Sequence, residues 1–417
     1  MIPDDYQYTF LPRFLKYVRY DTQSDESSNT FPSTEKQKIL GAELVRELHA
    51  MGLEDAAMDE YGYVLATIPG NSEKQNVPVI GFIAHMDTSP DVSGANVNPI
   101  LHENYNGKDI VLPADESVII TVKDNPHLKD KIGETIITAD GTTLLGADNK
   151  AGIAEIFDAA HFLLTHPEVK HGKVRICITP DEEIGQGTKH FDVEKFGAMY
   201  AYTVDGEQLA SIENETFCAD SLSVVFNGIS THPGFAKDKL LNSIKVAAHF
   251  LEKLPKDTLS PETTEKQEGY IHPHGISGGI EQTTVKFLLR SFNAEELREQ
   301  EAIIRKLVEE TLAEFPNASS AISVMESYRN MRYVLDEHPV VLTVAKDAMR
   351  RVGLTPEIGS IRGGTDGARL SYMGLPCPNI FAGEHSFHSK QEWISVQDMK
   401  KAVQTILAIA AIFEERA

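Results

Sequence analysis

The sequence predicts an α/β protein, in which a mostly parallel sheet is covered by helices and a smaller α+β domain is inserted. In the first half, short β-rich runs alternate with amphipathic helical patterns, the order typical of a parallel sheet. From residue 214 the order becomes strand, helix, strand, helix, strand, and from about residue 331 the α/β pattern resumes. We therefore expect a large domain made of residues 1–213 and 331–417, with an inserted domain at 214–330.

The clearest strands of the large domain are apolar runs that end in polar residues. They are "VPVIGFIAH" (77–85), "KVRICITPDEE" (173–183) and "MYAYTVDGE" (199–207). The segments 33–53 and 149–166 carry apolar residues at helical spacing, and Ser33 or Thr34 is a candidate cap for the first of them. A final helix is predicted at 397–416. These helices should cover the faces of the sheet.

The inserted domain is predicted from five segments. Strands are expected at "SLSVVFNGIS", "TTVKFLLRSFN" and "SAISVMESY", and helices at "NSIKVAAHFLEKL" and "AEELREQEAIIRKLVEETLAEF". The order resembles a compact α+β sandwich of about one hundred residues. Its exposed strand edges or helices could support a homodimer, which the sequence leaves open.

Composition narrows the classes of partner. The chain has 417 residues, and 39 Lys and Arg oppose 62 Asp and Glu, giving a formal charge of −23. That charge argues against nucleic acid or an anionic membrane as the main partner. Three widely spaced cysteines form no CxxC, and no apolar run approaches the ~20 residues of a membrane span. Since the amino terminus also lacks the pattern of a signal peptide, we expect a cytoplasmic protein.

Polar side chains recur where the predicted strands end. In open α/β sheets the carboxyl ends of strands form the ligand-binding crevice, so these residues should converge. They occur in "IAHMDTSPD", "LLGADNKAG", "ITPDEEIG", "YTVDGE" and "FAGEHSFHSKQEW". Two histidines and three carboxylates from this set suit a pair of zinc ions that share a bridging carboxylate.

Each segment alone has a simpler interpretation. The H-x-D of the first is commonly a surface turn, Asp148 could cap the helix that follows it, and Asp-Glu-Glu is usually solvated. Asp205 before Gly206 reads as a turn, and His388 as a surface imidazole. The metal hypothesis is favoured because all five segments occur at strand ends in one chain.

The same five segments resemble, in order, the metal-site motifs of the two-zinc aminoacylase/carboxypeptidase superfamily of peptidases. Within it the chain is most similar to the tripeptide aminopeptidases, with "IRGGTDGARLS" and "HPGFAKDKLLNS" as further matches. The resemblance covers nearly the whole chain and implies a catalytic zinc domain with an inserted lid or dimerisation domain. It also implies two Zn²⁺ per chain and a tripeptide substrate.

Carried over by position, the resemblance makes His85 and Asp205 ligands of one zinc. Glu183 and His388 would bind the other, and Asp148 would bridge the two. The last segment also contains His385, but the motif places the ligand immediately before a small residue and a charged stretch ending in Glu, which favours His388. The bridging segment has Asn149 where many relatives carry a second acid.

The resemblance also implies two catalytic residues that bind no metal. Asp87, two positions after His85, would accept the imidazole N–H and orient the ring. Glu182 would act as general base, taking a proton from the attacking water and delivering it to the leaving amine. Asp181, the first acid of the triplet, is expected to be a turn residue or to support the ligands.

Four residues are expected to contact substrate. In the resembling enzymes the residue matching His232 reaches an active site, in some members that of the neighbouring subunit, and would stabilise the oxyanion. Arg290 and Arg362 are candidates for a peptide's terminal carboxylate, because a guanidinium can bind it bidentately. Asn242 would contact the substrate backbone.

Other functions remain open at this stage. The same scaffold and metal site also suit a dipeptidase, a carboxypeptidase or an N-acyl amino acid hydrolase. A catalytically silent zinc protein is less favoured, because Glu182 stands beside a ligand without binding metal itself. A third alternative is an acidic binding module that holds no metal.

Overall fold

The structure is a computed structural model that describes residues 2–3 and 5–417. It divides into two compact units. The first comprises the chain up to Asn214, Tyr333–Gly359 and Thr365–Ala417, and the second comprises Glu215–Arg332 and Ser360–Gly364. The predicted inserted domain, 214–330, did not include the short segment Ser360–Gly364 of the second unit. The predicted large domain starts at residue 1, which lies outside the described residues.

The helices alternate with strands along the chain. In order they are α1 (Phe10–Tyr17), α2 (Lys36–Ala50), α3 (Ala147–Thr165), α4 (Val193–Phe196), α5 (Ser243–Glu252), α6 (Ala294–Glu314), α7 (Arg332–Leu335), α8 (Pro339–Arg351), α9 (Asp366–Tyr372) and α10 (Val396–Glu415). Short 3₁₀ turns occur at Pro126–Lys131 and Pro233–Phe235.

The main sheet has eight strands. They are β1 (Ala57–Met58), β2 (Val64–Ile68), β3 (Ile80–His85), β8 (Val174–Thr179), β9 (Tyr200–Gly206), β10 (Ser211–Thr216), β15 (Glu357–Ile361) and β16 (Asn379–Phe381), in the order β1-β2-β8-β3-β9-β16-β10-β15. The four central strands, β8, β3, β9 and β16, pair in parallel, whereas the pairs β1–β2, β2–β8 and β10–β16 are antiparallel. The predicted α/β class with a parallel sheet is confirmed.

Burial explains why the central strands were predictable. Every residue of β3 is buried, and β8 and β9 are buried over most of their length. A strand covered on both faces needs apolar side chains at consecutive positions, so it reads as a continuous run. Because β3 pairs in parallel with both β8 and β9, the carboxyl ends of these strands meet at one edge of the sheet, where the polar residues follow.

Two smaller sheets belong to the same unit. One contains β4 (Ile100–His102), β7 (Ile136–Thr138), β17 (Glu384–His385) and β18 (Trp393–Ser395), in the order β17-β18-β7-β4. The other pairs β5 (Ile110–Val111) with β6 (Ile119–Ile120). The four-stranded sheet brings the segment before α10 towards the segment before α3, which matters for the metal centre.

The second unit is an antiparallel sheet with two helices, α5 and α6. Its strands are β11 (Cys218–Asn227), β12 (Tyr270–Gly278), β13 (Gln282–Ser291) and β14 (Ser319–Tyr328), in the order β12-β13-β11-β14. Buried residues of both helices, including Phe250 and Ile304, pack with Leu222 and Phe287 of the sheet. The sequence missed β12, because Pro273 and two glycines, Gly275 and Gly278, interrupt its strand pattern.

The predicted cap of α2 is wrong. The residue preceding the helix is Glu35, and no side chain caps it. Ser33 instead donates its hydroxyl and its backbone N–H to Asp181, both at 2.5 Å, and Thr34 donates its hydroxyl to the carbonyl of Gln23. A carboxylate distant in the sequence therefore takes the hydroxyl that the local pattern assigned to the helix.

Among the described residues, no helix combines the length and the apolar character that crossing a membrane requires.

Candidate metal centre

His85 lies at the centre of the polar cluster. It ends β3, and its Nε2 atom is 2.8 Å from Asp148 Oδ1 and 3.3 Å from Asp205 Oδ1. Its other ring nitrogen, Nδ1, is 3.0 Å from the backbone oxygen of Asp87 and 3.3 Å from the Asp87 carboxylate. A hydrogen bond at Nδ1 fixes the ring and leaves Nε2 directed at the two acids, as in histidines that bind metal.

His388 approaches the same acids from another segment. Its Nε2 atom is 2.6 Å from Glu183 Oε2 and 3.2 Å from Asp148 Oδ2. His385, the alternative in the sequence, instead places Nδ1 3.4 Å from Glu207 and stacks on Trp393 with ring centroids 4.1 Å apart. The structure thus brings His388 into the cluster and turns His385 away from it.

The ligand atoms form overlapping groups of three. One group is His85, Asp148 and Glu183, and another is His85, Glu182 and Asp205, with the atoms of each group within 4.8 Å of one another. All six residues singled out at the strand ends for metal binding or base catalysis therefore converge. Glu182 lies close enough to contact a water or an ion held by His85 and Asp205.

Unpartnered oxygens show that the cluster fits cations. Glu183 Oε1 and Asp205 Oδ1 are buried atoms without a hydrogen-bond partner among the described residues. Asp205 Oδ1 does lie 3.3 Å from His85 Nε2, but this contact has an ion-pair distance without hydrogen-bond geometry. Buried carboxylate oxygens are costly unless they are hydrogen-bonded or bind a metal. Divalent cations between these imidazoles and carboxylates would satisfy both atoms.

Burial and mutual charge shift the pKa values of the residues in this cluster. Burial, with Asp148 adding to it, raises the pKa of Glu183 to about 8, and burial also raises the pKa values of Glu182 and Asp205. Burial alone would lower the pKa of His388, but its contacts with Asp148 and Glu183 outweigh that effect and raise it to about 11. Without cations, protons compensate part of the negative charge.

Asp87 orders more than the ring of His85. Its side chain is fully buried, and its two carboxylate oxygens accept the backbone N–H groups of Glu182 at 3.0 Å and of Glu183 at 3.2 Å. The sequence predicted the contact with His85 but not these two hydrogen bonds. One carboxylate therefore positions a histidine and two glutamates together.

Asp181, the first acid of the triplet, has a supporting position. It is buried with a φ of 55°, and its carboxylate accepts hydrogen bonds from both donors of Ser33 and, at 2.6 Å, from Gln37 Nε2. These neutral donors satisfy both oxygens. Asp181 therefore ties the turn after β8 to the start of α2.

Asp148 does not cap α3. Its carboxylate faces the two histidines, whereas Asn149 Oδ1 accepts the backbone N–H of Gly152 at 3.2 Å. Asn149 is the position where the resembling enzymes often carry a second acid. Here it supplies the capping oxygen, which leaves both oxygens of Asp148 for the cluster.

Sequence reasoning missed Glu392 as a residue that shapes this site. Its buried carboxylate accepts the backbone N–H groups of Leu145 and Gly146, each at 2.7 Å, and of Asp148 at 3.0 Å. It thereby holds the loop that presents Asp148. The only signal was its place in "HSKQEW", the segment that also contains His388.

Two further acids near the cluster were also missed. Glu384, which is 1% exposed, has a ligand atom within 4.8 Å of those of Asp148 and Asp205. Asp366 is buried and accepts a hydrogen bond from the hydroxyl of Thr179 at 2.8 Å, and burial raises its pKa to about 7. Glu384 stands in "FAGEHSFHSKQEW", where the histidines were chosen instead, and Asp366 stands in "IRGGTDGARLS", where only Arg362 was chosen.

Two of the predicted substrate residues make local contacts in the second unit. His232 Nδ1 accepts the backbone N–H of Gly234 at 3.1 Å, and its ring is exposed. Asn242 precedes α5, and its Oδ1 accepts the backbone N–H of Ile244 at 2.9 Å. Asn242 therefore caps the helix, while Nε2 of His232 points away from that local bond.

The two predicted carboxylate-binding arginines also lie in the second unit. Arg290 donates from Nη1 to the backbone oxygens of Leu289, at 2.9 Å, and Asp220, at 3.4 Å. Arg362 donates to the backbone oxygens of Lys266, at 2.5 Å, and Glu268, at 2.9 Å. Both guanidinium groups are thus oriented by carbonyl oxygens rather than by acids.

Comparison with known proteins identifies the family. Residues 138–411, more than half of the chain, match the model of Peptidase family M20/M25/M40. The chain belongs to this family. The Peptidase T of Geobacillus sp. is 48% identical over 407 residues, covering 98% of this chain and 99% of its own. The Peptidase T of Listeria monocytogenes is 47% identical over 406 residues, covering 97% and 98%.

Solved structures share the fold. The aminopeptidase PepT of Bacillus cereus has a TM-score of 0.73 at 24% identity, with 97% of this chain and 98% of that chain covered. The YXEP protein of Bacillus subtilis, a dinuclear metal binding peptidase of the M20 family, has a TM-score of 0.65 at 16% identity, covering 98% and 99%. The resemblance drawn from the five motifs is confirmed, and the chain is a metallo-exopeptidase.

Proposed function

We propose that the protein is a zinc-dependent aminopeptidase that removes the N-terminal residue from tripeptides. Relatives named Peptidase T, 47–48% identical over nearly the whole chain, support this substrate class. In this proposal two Zn²⁺ ions bind each chain. His85 and Asp205 would hold one, Glu183 and His388 would hold the other, and Asp148 would bridge them.

One observation carries the two-metal arrangement. The two oxygens of Asp148 are divided between the two histidines, with Oδ1 2.8 Å from His85 Nε2 and Oδ2 3.2 Å from His388 Nε2. A carboxylate with one oxygen facing each imidazole is the arrangement a bridging ligand needs. A structural site for a single ion beside His85 would not need His388 at Asp148 Oδ2, the other oxygen of the same carboxylate.

When bound, the ions would acidify a water and polarise the peptide carbonyl. The chain's own residues then manage the protons and the geometry. Asp87 holds the imidazole of His85 and the turn carrying Glu182. Glu182 takes the proton of the attacking water and delivers it to the nitrogen of the leaving amine. Its partly buried carboxylate lies beside His85 and Asp205, which is where such a water would sit.

Substrate binding falls to the second unit in this proposal. Both hydrogen bonds of Arg290 use Nη1, so among the described residues Nη2 and Nε are left for a peptide carboxylate. Arg362, similarly oriented by carbonyls, is the second candidate for that carboxylate. His232 would supply a donor to the oxyanion, and Asn242 would contact the substrate backbone.

The cellular setting belongs to the same proposal. Free, buried thiols at Cys177, Cys218 and Cys377 agree with a cytoplasmic enzyme. We also propose a homodimer formed through the second unit. Analytical ultracentrifugation tests it, and a concentration-independent monomer would refute it.

A matched pair of neighbouring variants tests the catalytic assignment. Glu182→Gln should retain the metal content while lowering turnover by roughly 10²-fold or more, because only the proton acceptor is lost. Glu183→Gln should instead lower the metal content, because it removes a ligand. Metal analysis and kcat are measured on both. Unchanged turnover in Glu182→Gln would refute its assignment as the base.

A substrate panel tests the specificity. Tripeptides should lose their first residue, whereas dipeptides and N-acetylated tripeptides should be poor substrates. Chelation should abolish activity, and added Zn²⁺ should restore it. A preference for acylated substrates would instead indicate an N-acyl amino acid hydrolase. Release of the last residue would indicate a carboxypeptidase.

A further inference from the structure

Glu384 is a buried acid for which the two-zinc arrangement has no use. It forms β17 together with His385, and its side chain is 1% exposed. One of its carboxylate oxygens lies within 4.8 Å of ligand atoms of both Asp148 and Asp205. Three carboxylates thus surround one small region on the Asp205 side of the centre.

The surroundings of Glu384 leave one of its oxygens without a hydrogen-bond donor. Glu384 Oε2 is a buried atom with no hydrogen-bond partner among the described residues. Glu392, eight positions later and equally buried, accepts three backbone N–H groups. A buried carboxylate without a donor, beside two more carboxylates, is unfavourable unless a cation lies among them.

Distances allow one cation to contact all three acids. Carboxylate oxygens bind zinc at about 2.0–2.2 Å, so two ligands of one ion lie at most ~4.4 Å apart. The separations here are within 4.8 Å, so movements of a few tenths of an ångström bring the three oxygens to one ion. Those movements are small for a glutamate side chain.

We propose that Glu384 is a further ligand of the metal assigned to His85 and Asp205. This inference rests on the two-metal centre of the proposed function. The two halves then differ in chemistry, because this half has three carboxylates and one imidazole while the other has two carboxylates and one imidazole. Carboxylate ligands suit Mn²⁺ and imidazole suits Zn²⁺. The half with Glu384 is therefore the one that accepts Mn²⁺ more readily.

The isosteric Glu384→Gln variant tests the proposal through metal affinity. Competition with a chromophoric chelator gives the affinity of each site for Zn²⁺ and Mn²⁺. One site should weaken by about 10–100-fold, with the larger loss for Mn²⁺, while the other stays within about threefold. Affinities that both stay within threefold, or that both fall equally, would overturn it.

Double variants assign the affected half. Glu384→Gln should add its full effect to that of Glu183→Gln, which impairs the other half. It should add little to Asp205→Asn, which already impairs the same half. The reverse pattern would overturn the assignment. Glu207→Gln is the matched control, because it removes the same charge two positions after Asp205 from a half-exposed side chain that faces His385.

Thermal unfolding without metal gives an independent readout. Glu384→Gln should raise the Tm of the chelated protein, because it replaces an unpartnered buried carboxyl group with an amide that can donate to the carboxylates of Asp148 and Asp205. It should also reduce the rise in Tm on adding metal. A lower Tm for the chelated variant would show a structural role and overturn the proposal. Wild-type metal content and tripeptide hydrolysis are measured on the same preparations. If the wild type binds metal and hydrolyses tripeptides while Glu384→Gln keeps wild-type metal affinities, the proposed function stands and only the assignment of Glu384 fails.

Discussion

Two sets of buried acids surround the ends of the central strands, and they differ in what their oxygens contact. Asp87, Asp181 and Glu392, the anchored acids, accept hydrogen bonds from backbone N–H groups or neutral side chains. The open acids Glu183, Asp205 and Glu384 each keep a buried oxygen without a partner among the described residues. Both sets consist of aspartate and glutamate side chains near the same strand ends, so residue type and position do not separate them.

The difference separates positioning from binding. Each anchored acid orders one segment: Asp87 holds the turn after β8, Asp181 joins that turn to the start of α2, and Glu392 holds the loop before α3. The open acids project from segments that are already ordered. Substituting an open acid should therefore cost metal, and substituting an anchored acid should cost the geometry or stability of a segment.

The largest expected effect is at Asp148, which faces both histidines. Asp148→Asn removes the proposed bridge, so both ions should be lost or bound weakly. Metal catalysis contributes several kcal/mol, so turnover should fall by ~10³-fold or more. Metal analysis and kcat measure the change. Full metal content in this variant would contradict the bridging assignment.

A smaller effect is expected at Glu392, an anchored acid that contacts the metal site only through the backbone. In Glu392→Gln, an amide donor replaces one acceptor and faces backbone N–H groups, so the Asp148 loop should shift. Loss of an orienting group of this kind costs about 10–100-fold in metal affinity. Chelator competition measures it, with Glu207→Gln as the control for charge. If affinity stays at the wild-type value, the anchoring role of Glu392 is wrong.

Substitution of Asp181 should lower the stability of the fold and leave kcat largely unchanged. Asp181→Asn keeps the shape of the side chain but leaves a donor of Ser33 or Gln37 without an acceptor. This should cost about 1–3 kcal/mol of stability and lower Tm. The kcat of the folded, metal-loaded enzyme should stay within about threefold. A large loss of kcat with an unchanged Tm would place Asp181 among the reacting groups.

The smallest effect concerns pH and Glu213, a buried acid of β10 that accepts a hydrogen bond from Asn379 Nδ2 at 3.0 Å. Burial, reinforced by Asp205 and Glu207 and opposed by the nearby hydroxyl of Ser211, raises the pKa of Glu213 to about 7. Glutamate in an unfolded chain has a pKa of about 4.3. The folded protein thus binds more protons between these values.

Glu213 should therefore favour folding below about pH 4 and lose that contribution as pH rises through about 7. With a chelator present, the Tm of the wild type should fall more than the Tm of Glu213→Gln as the pH rises from roughly 5 to 8. Parallel Tm profiles for the two proteins would show that Glu213 has no such shift.

The anchored and open acids also show how far sequence reasoning reaches. Strands β3, β8 and β9 were predicted because burial on both faces requires continuous apolar residues, and the polar residues that follow them were correctly expected to converge. The prediction that Ser33 or Thr34 caps α2 was wrong, because their hydroxyls contact Asp181 and the carbonyl of Gln23 rather than the local helix. Strand β12 was missed because its proline and glycines resemble a loop.

Glu384 and Glu392 could not be distinguished by pattern. Both are glutamates in one short segment, and their environments depend on loops far away in the sequence. Glu392 accepts backbone N–H groups, whereas Glu384 lies beside two carboxylates. Such a difference exists only after the chain has folded.

The hydrogen bonds of Asp87 have a consequence for how the enzyme could change over time. One carboxylate positions a proposed ligand from each half of the centre and the proposed base between them. A substitution there would disturb several functions at once, so gradual improvement through this position is blocked. Under the proposed function, new substrate preferences are more accessible in the second unit, which carries the proposed carboxylate-binding residues Arg290 and Arg362. The proposed metal centre can then stay constant while selectivity diversifies.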